Sequence, residues 1–375
     1  MESKYNIYSG NYPIKLSPNR VWRTYKGGSL LSLWKGSPQT VDDHFPEEWI
    51  ASLVSARNPG HGHIKNEGLS ELETAPGRRI LLKKVIEAAP RLLLGDKHVA
   101  GFGCNPGLLV KALDSCERLA IQVHPDKNTA RRVFGSDFGK TEAWYIIGGR
   151  EISGEPPYIL LGFKPGITRE KWESMFHSQD IPGMIDSMNK FHVKPGQSFL
   201  IEGGVPHAIG PGCFIIEVQE PTDYTIRVEK VTPGGLEIPE FLLHQGIGYE
   251  KMFECFKYEG FPPEKAWELW CKNAAETEEA DSDIETRLIS YRDTKCFKMS
   301  LIETNTKRRL ENPDTFSIIA VIRGKGILEW DKGKIEIKQG DELFLPAGMK
   351  NLLCVNTAND SRFTMVRCYP PVLET

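Results

Sequence analysis

The chain carries a weak internal repeat. Lys194-Pro195-Gly196-Gln197-Ser198-Phe199-Leu200-Ile201 aligns with Lys338-Gln339-Gly340-Asp341-Glu342-Leu343-Phe344-Leu345 at a constant offset of 144 residues, which also carries Gly204 onto Gly348 and His207 onto Asn351. Each copy reads as a glycine turn, a short strand, and a second turn that presents a residue inward. Around the second copy, Phe316 to Ile322 is a continuous apolar strand, Arg323-Gly324-Lys325-Gly326 a turn, and Ile327 to Trp330 another strand. Asp331-Lys332-Gly333-Lys334 then reverses the chain into Ile335-Glu336-Ile337. Two related β units follow, the second compact and all-β from about residue 293 onward.

Helical spacing interrupts the strands twice. Thr168 to Asn189 reads as an excursion from the first β unit, placed to border its interior. Ile238 to Ala275 carries helix formers, with Pro262-Pro263 opening the stretch Glu264 to Asn273. The acidic run Glu276-Thr277-Glu278-Glu279-Ala280-Asp281-Ser282-Asp283 reads as a solvated linker. The predicted organisation is a first domain over 1–237, a helical and acidic linker region over 238–292, and a second domain over 293–375.

A hydrophobic content of 40% can fill two cores. A formal net charge of −3 with both signs interspersed gives no footprint for nucleic acid or an anionic membrane. The opening residues Met1-Glu2-Ser3-Lys4-Tyr5-Asn6 lack the apolar stretch of a signal peptide, and no run approaches the length of a membrane helix, so cytoplasm is the expected compartment. The eight cysteines contain no CxxC pair and read as buried free thiols.

Four residues stand out as metal donors. Leu119 to Asp126 alternates apolar and polar residues up to a proline and reads as a strand, so Gln122 and His124 share a face. Glu142 lies in another strand-like stretch, where a cation would offset the cost of burying its carboxylate. His207 follows a strand, a glycine turn and Pro206. Two imidazoles, a carboxylate and an amide oxygen make a mixed N/O site suited to zinc, with iron, manganese and cobalt as alternatives. His61-Gly62-His63 also spaces two imidazoles, but on a loop where such pairs are usually solvated. His44, His98, His177, His192 and His244 have no matched partners.

Taken in order, Ile121-Gln122-Val123-His124-Pro125-Asp126, Lys140-Thr141-Glu142 and Pro206-His207-Ala208-Ile209 resemble the motifs of the type I mannose-6-phosphate isomerases, of the cupin superfamily. Trp22, Gly27-Gly28 and Glu48-Trp49-Ile50-Ala51-Ser52 resemble that family's opening segments, and the likeness runs on through Leu109 to Asp114, Glu217 and Thr222 to Arg227. It covers roughly the first 230 residues.

The resemblance implies a mainly all-β fold of two cupin (jelly-roll) barrels with helical insertions and a helical linker, the second barrel without metal ligands. It implies zinc on Gln122, His124, Glu142 and His207. Interconversion of mannose 6-phosphate and fructose 6-phosphate through a cis-enediol would follow, with Glu217 the first choice for the base and Asp223 or Lys140 as alternatives. Arg227 would stabilise the enediolate, and Lys111 with Lys140 would hold the phosphate of a small-molecule sugar substrate. A stabilising Glu217–Arg227 ion pair is the structural alternative for those two residues. A cupin Fe(II) oxygenase, an isomerase of an unphosphorylated sugar and a non-catalytic sugar-binding protein are the competing functions. Two positions depart from the family: Ala120 stands where it usually has serine, and Val228-Glu229-Lys230-Val231-Thr232 follows the arginine where its short bacterial members have a Tyr-Asp stretch.

Overall fold

The structure, a computed structural model, describes residues 8–58, 60–272, 277–280, 283–311, 314–358 and 361–372. Eight strands frame the first half: β1 (Leu109–Asp114), β2 (Gln122–Val123), β3 (Glu142–Gly149), β4 (Tyr158–Phe163), β5 (Met188–His192), β6 (Ser198–Ile201), β7 (His207–Ile209) and β8 (Cys213–Gln219). Eight more frame the second: β9 (Lys298–Thr304), β10 (Lys307–Leu310), β11 (Ser317–Arg323), β12 (Lys325–Trp330), β13 (Gly333–Lys338), β14 (Glu342–Leu345), β15 (Leu352–Asn356) and β16 (Phe363–Tyr369).

The first half runs β6-β3-β8-β1 in one sheet and β5-β4-β7-β2 in another; the second runs β14-β11-β16-β9 and β13-β12-β15-β10. The order is the same in both halves, strand for strand, and the neighbours pair antiparallel. Register repeats too: Ile201 lies opposite Glu142, and Leu345, which the 144-residue offset equates with Ile201, lies opposite Ser317. Each half is therefore a cupin-type jelly roll of two sheets, which among the described residues stay separate and do not close into a continuous barrel.

Alternation along the strands divides the core. On β3, Trp144 and Ile146 point between the two sheets of the first half, where they meet Ile159, Leu161 and Ile209. Ala143 and Tyr145 point the other way, into an apolar layer shared with Met299, Ile318 and Phe344 of the second half. The large sheets of the two halves thus pack back to back. Strand Ile14–Lys15 joins β14 and ties the beginning of the chain to the second half.

The acidic run differs from its expected form. Thr277–Ala280 and Asp283–Ile289 pair with each other, and the latter pairs with β9, so both extend the second half's large sheet and cover its edge. Glu276, Asp281 and Ser282 of that run lie outside the described residues. Charge composition predicted solvation, but strand addition is made by the backbone and is indifferent to it.

The excursion after β4 is two helices, Arg169–Ser178 and Ile181–Asp186, capped by Thr168 and Asp180 and separated by Gln179 at φ 51°. Their Trp172, Phe176 and Met184 pack with Leu160 and Ala208 and with helices Glu240–His244 and Tyr249–Phe253. Ala208 points away from its neighbour His207, so this helical layer backs the smaller sheet instead of lining the interior. The Pro262-Pro263 signal opens helix Pro263–Trp270. Among the described residues, no helix is long and apolar enough to cross a membrane. The cysteines are free, but only Cys213, Cys255, Cys354 and Cys368 are buried; Cys104 is exposed, on the turn that follows helix Asp96–Phe102.

Candidate metal centre and active site

Gln122, His124, Glu142 and His207 come together between the two sheets of the first half. His207 opens β7 directly across from Gln122, and Glu142 opens β3 in the opposing sheet. The expected strand from Leu119 narrows to Gln122–Val123, because Asp126 instead caps helix Lys127–Phe134 by accepting from the Thr129 N–H at 2.7 Å. Glycine brings the two histidine-bearing turns into contact: the Gly204 N–H donates to the His124 carbonyl at 2.7 Å, and a Cβ on Gly203 would lie 2.5 Å from the Asp126 Cα.

Donor atoms of His124, Glu142 and His207 all lie within 4.8 Å of one another. The Glu142 carboxylate bridges the pair, 3.2 Å from His124 Nε2 and 3.3 Å from His207 Nε2, and the Gln122 amide approaches His207 Nε2 at 3.3 Å. Backbone carbonyls fix the far side of each ring, with Tyr224 O at 2.8 Å from His124 Nδ1 and Val205 O at 3.0 Å from His207 Nδ1. Protons on Nδ1 leave both Nε2 lone pairs facing the centre, the tautomer a metal ligand needs. Burial pushes both imidazoles down, His124 to about 3, so both are neutral at ordinary pH. Burial pushes Glu142 up, but Lys140 and the two imidazoles outweigh it and hold the carboxyl well below its ordinary value. Lys140 donates to Glu142, and its Nζ lies 2.8 Å from His124 Nε2.

Beside this cluster runs a buried series of alternating charges. Lys111 on β1 and Glu217 on β8 lie opposite each other, with Lys111 Nζ 3.1 Å from Glu217 Oε1 and 3.5 Å from Glu47 Oε2. Glu47 opens strand Glu47–Ile50, next to β1, and also accepts from Tyr25 Oη at 2.8 Å and Trp49 Nε1 at 2.7 Å. Arg23 follows, with Nε 3.2 Å from Glu47 and its two terminal nitrogens 3.2 and 2.9 Å from the oxygens of Asp223. The Trp49 ring is a floor for both cations, with Lys111 Nζ 5.0 Å and the Arg23 Cζ 5.6 Å from its centroid.

Electrostatics sorts the carboxylates. Burial pushes all of them up, but Arg23 and Lys111 hold Glu47 down at about 2, and Arg23 holds Asp223 well below the usual range. Glu217 moves the other way: burial raises it further than Lys111 lowers it, and its Oε1 meets no donor besides that ammonium. Arg227 pairs with neither; it donates to the carbonyls of Thr225 and Leu242, and burial, then Arg23, push it down to about 10, still charged near neutrality.

The alternative of a Glu217–Arg227 ion pair is therefore replaced by Glu217–Lys111. Lys111 and Lys140, expected as phosphate contacts, are both buried and engaged with carboxylates. Lys111, Lys140, Glu217, Gln122, Ala120 and Arg227 line one pocket together with Arg23, Thr24, Tyr25 and Glu47. Arg23, Tyr25 and Glu47 escaped the sequence reading. His61 is stacked on Trp22 with ring centroids 3.7 Å apart, which leaves the His61-Gly62-His63 pair outside the centre.

Comparison with known proteins agrees with this geometry. Residues 288–355 match the family described as mannose-6-phosphate isomerase, cupin domain. The mannose-6-phosphate isomerase ManA of Bacillus subtilis is 26% identical over 260 residues, 68% of this chain and 75% of that protein. The mannose-6-phosphate isomerase of Streptococcus mutans is 33% identical over 156 residues, 40% of this chain and 46% of that protein. A crystal structure of the mannose 6-phosphate isomerase from Bacillus subtilis superposes with a TM-score of 0.72, covering 95% of this chain and 99% of that one at 22% identity. With the ordered motifs in the first half and the cupin domain of the mannose-6-phosphate isomerase family matched over residues 288–355, the chain is similar to the type I mannose-6-phosphate isomerases over most of its length.

Proposed function

We propose that the protein is a metal-dependent aldose–ketose isomerase that interconverts mannose 6-phosphate and fructose 6-phosphate. The observation that carries the reading is the juxtaposition of a neutral His–Glu–His donor cluster with Glu217, a buried carboxylate raised toward the working range of a general base.

The donors suit a divalent metal, because both imidazoles are neutral with their Nε2 atoms turned to the centre and the carboxylate is ionised. Gln122, His124, Glu142 and His207 would hold it, and the N/O set fits zinc. Once bound, the ion supplies Lewis-acid polarisation of the sugar oxygens. Glu217 takes the proton from one of the carbons C1 and C2 and returns it to the other. Arg227, spending only two contacts on carbonyls, has donors left for the enediolate oxygens.

Charge counting supports a phosphorylated substrate. Arg23, Lys111, Lys140 and Arg227 match Glu47, Glu142, Glu217 and Asp223 one for one, all of them buried. A divalent metal adds two positive charges, which a phosphate dianion balances in a site that screens charge poorly. Lys111 and Lys140 are the cations we assign to that phosphate, although each must share itself with a carboxylate.

The test is formation of fructose 6-phosphate by purified protein stripped of metal and reloaded with zinc, manganese, cobalt or iron, with Arg227→Ala in parallel. Metal-dependent turnover that the variant loses is the expected result. Absence of turnover with every metal overturns the reading.

A further inference from the structure

The ion-pair series leaves one site carboxylate open, and Arg23 is the residue that decides which. Asp223 Oδ1 accepts from Arg23 Nη2, while Oδ2 accepts from Arg23 Nη1 and from the Arg57 backbone N–H at 2.8 Å, so both oxygens are occupied. Glu47 is occupied by Tyr25 and Trp49 and flanked by Arg23 and Lys111. Glu217 faces Lys111 alone in this series, its Oε1 3.1 Å from that ammonium and with no second donor.

We propose that Arg23 is a positioning residue for the isomerisation: by clamping Asp223 and Glu47 together it fixes Lys111 against Glu217 and leaves Glu217 the one carboxylate free to move a proton. This role rests on the isomerase reading. Arg23 spends Nε, Nη1 and Nη2 on carboxylates, which sets it apart from Arg227, whose partners are backbone carbonyls. A planar fork with fixed N–H directions sets the orientation of both carboxylates, whereas the point charge of a lysine ammonium at the same place fixes no such geometry. Release of either carboxylate would let it compete for Lys111 and draw that ammonium from Glu217. Misplacement of about 1 Å at a reacting group costs on the order of 100-fold in rate.

The experiment is steady-state kinetics on metal-loaded full-length protein for wild type, Arg23→Lys, Asp223→Asn and the double variant, with metal content and melting temperature recorded for each. Arg23→Lys keeps the buried charge and so protects folding. It is expected to lower kcat by about 10- to 100-fold with KM within about threefold and metal content unchanged. The double variant is expected to be no slower than the slower single, because the pair acts as one unit. Wild-type kcat in Arg23→Lys, a rise confined to KM, or a double variant whose loss is the product of the two singles would each overturn the role. A wild type that binds metal but turns nothing over overturns the functional reading and this role with it, whereas an active wild type matched by Arg23→Lys overturns the role alone.

Discussion

Glu142, Lys111 and Glu217 in the first half occupy the register positions that Ser317, Ser300 and Arg367 occupy in the second. In the first half those positions carry ionised or ionisable groups whose partners are other charges between the sheets. In the second, Arg367 donates to Ser317 Oγ at 2.9 Å and to the Glu311 carbonyl at 2.7 Å, and no pair of carboxylates has to be neutralised. His207 has Leu352 as its counterpart at the opening of the matched strand, and Asn351, the residue matched by sequence offset, is exposed and bonded to Asp331. The same strand order thus supports two kinds of interior. One surrounds a single buried guanidinium with apolar packing and neutral acceptors; the other holds a series of paired buried charges at a desolvation cost that packing alone would not require.

If that contrast is right, the largest difference comes from truncating the two strand openings. His207→Ala is expected to lose bound metal and reduce isomerisation to background, while Leu352→Ala keeps its metal and its kcat per folded molecule. Leu352 is fully buried, so its truncation should cost about 2–5 kcal/mol in a denaturant melt. Metal analysis of both variants after gel filtration checks this; metal loss from Leu352→Ala would mean that the second half supports the centre directly.

Next in size is the Glu217–Arg367 pair of positions. Glu217→Gln should lower kcat by about 100- to 10,000-fold, the range for removing a general base. A base works only when ionised, and burial raises Glu217, so wild-type kcat/KM should fall as pH drops through a value above an ordinary glutamate's 4.5. The glutamine variant should lack that limb in its residual rate. Arg367→Met removes donors from a buried serine and a carbonyl and should cost about 1–3 kcal/mol of stability with kcat unchanged. A pH profile unaltered in Glu217→Gln would pass the role of base to another group.

How much of this contrast was legible beforehand follows from distance along the chain. The four donors were legible because each ends a local strand or turn signal, such as Gly203-Gly204-Val205-Pro206 before His207. The repeat was legible because its glycines sit at fixed offsets, and it extends to all eight strands of each half. Arg23 was not, since its partner Asp223 is 200 residues away and no local pattern links them. Glu47 carried a weak signal: it shares a strand face with Trp49, and all four residues of Glu47–Ile50 are buried, which no solvated glutamate pair would be. The acidic run misled because composition reports solvation of side chains, while the sheet edge of the second half recruits backbone.

The seam between the halves gives a smaller effect with a definite sign. Glu48 and Glu342 share the ammonium of Lys35, at 3.6 and 2.5 Å, and all three are largely buried. One cation serves two carboxylates, so burial first and Glu48 second push Glu342 up to about 8. A carboxyl raised on folding contributes stability that is complete below its unfolded value and lost as pH rises through the folded one, here from about 4.5 to about 8. Glu342→Gln should therefore melt like wild type near pH 5 and be more stable near pH 9, by on the order of 1–3 kcal/mol. Parallel melting curves across that window would place the shared proton elsewhere.

The smallest effect probes Ala120, which with Leu113, Leu119 and Ile209 makes up the apolar part of the pocket lining. Ala120 is buried and borders the pocket with Lys111 and Lys140, the cations assigned to the phosphate. Ala120→Ser adds one hydroxyl there without disturbing an ion pair. A net hydrogen bond is worth about 0.5–1.5 kcal/mol, so KM for mannose 6-phosphate should fall about 2- to 10-fold with kcat unchanged. Free mannose separates the explanations: if its KM is unmoved, the hydroxyl meets the phosphate, and if it falls equally, the hydroxyl meets the sugar ring. No change with either sugar would make position 120 packing alone, and the charged lining of the first half would then end at Gln122.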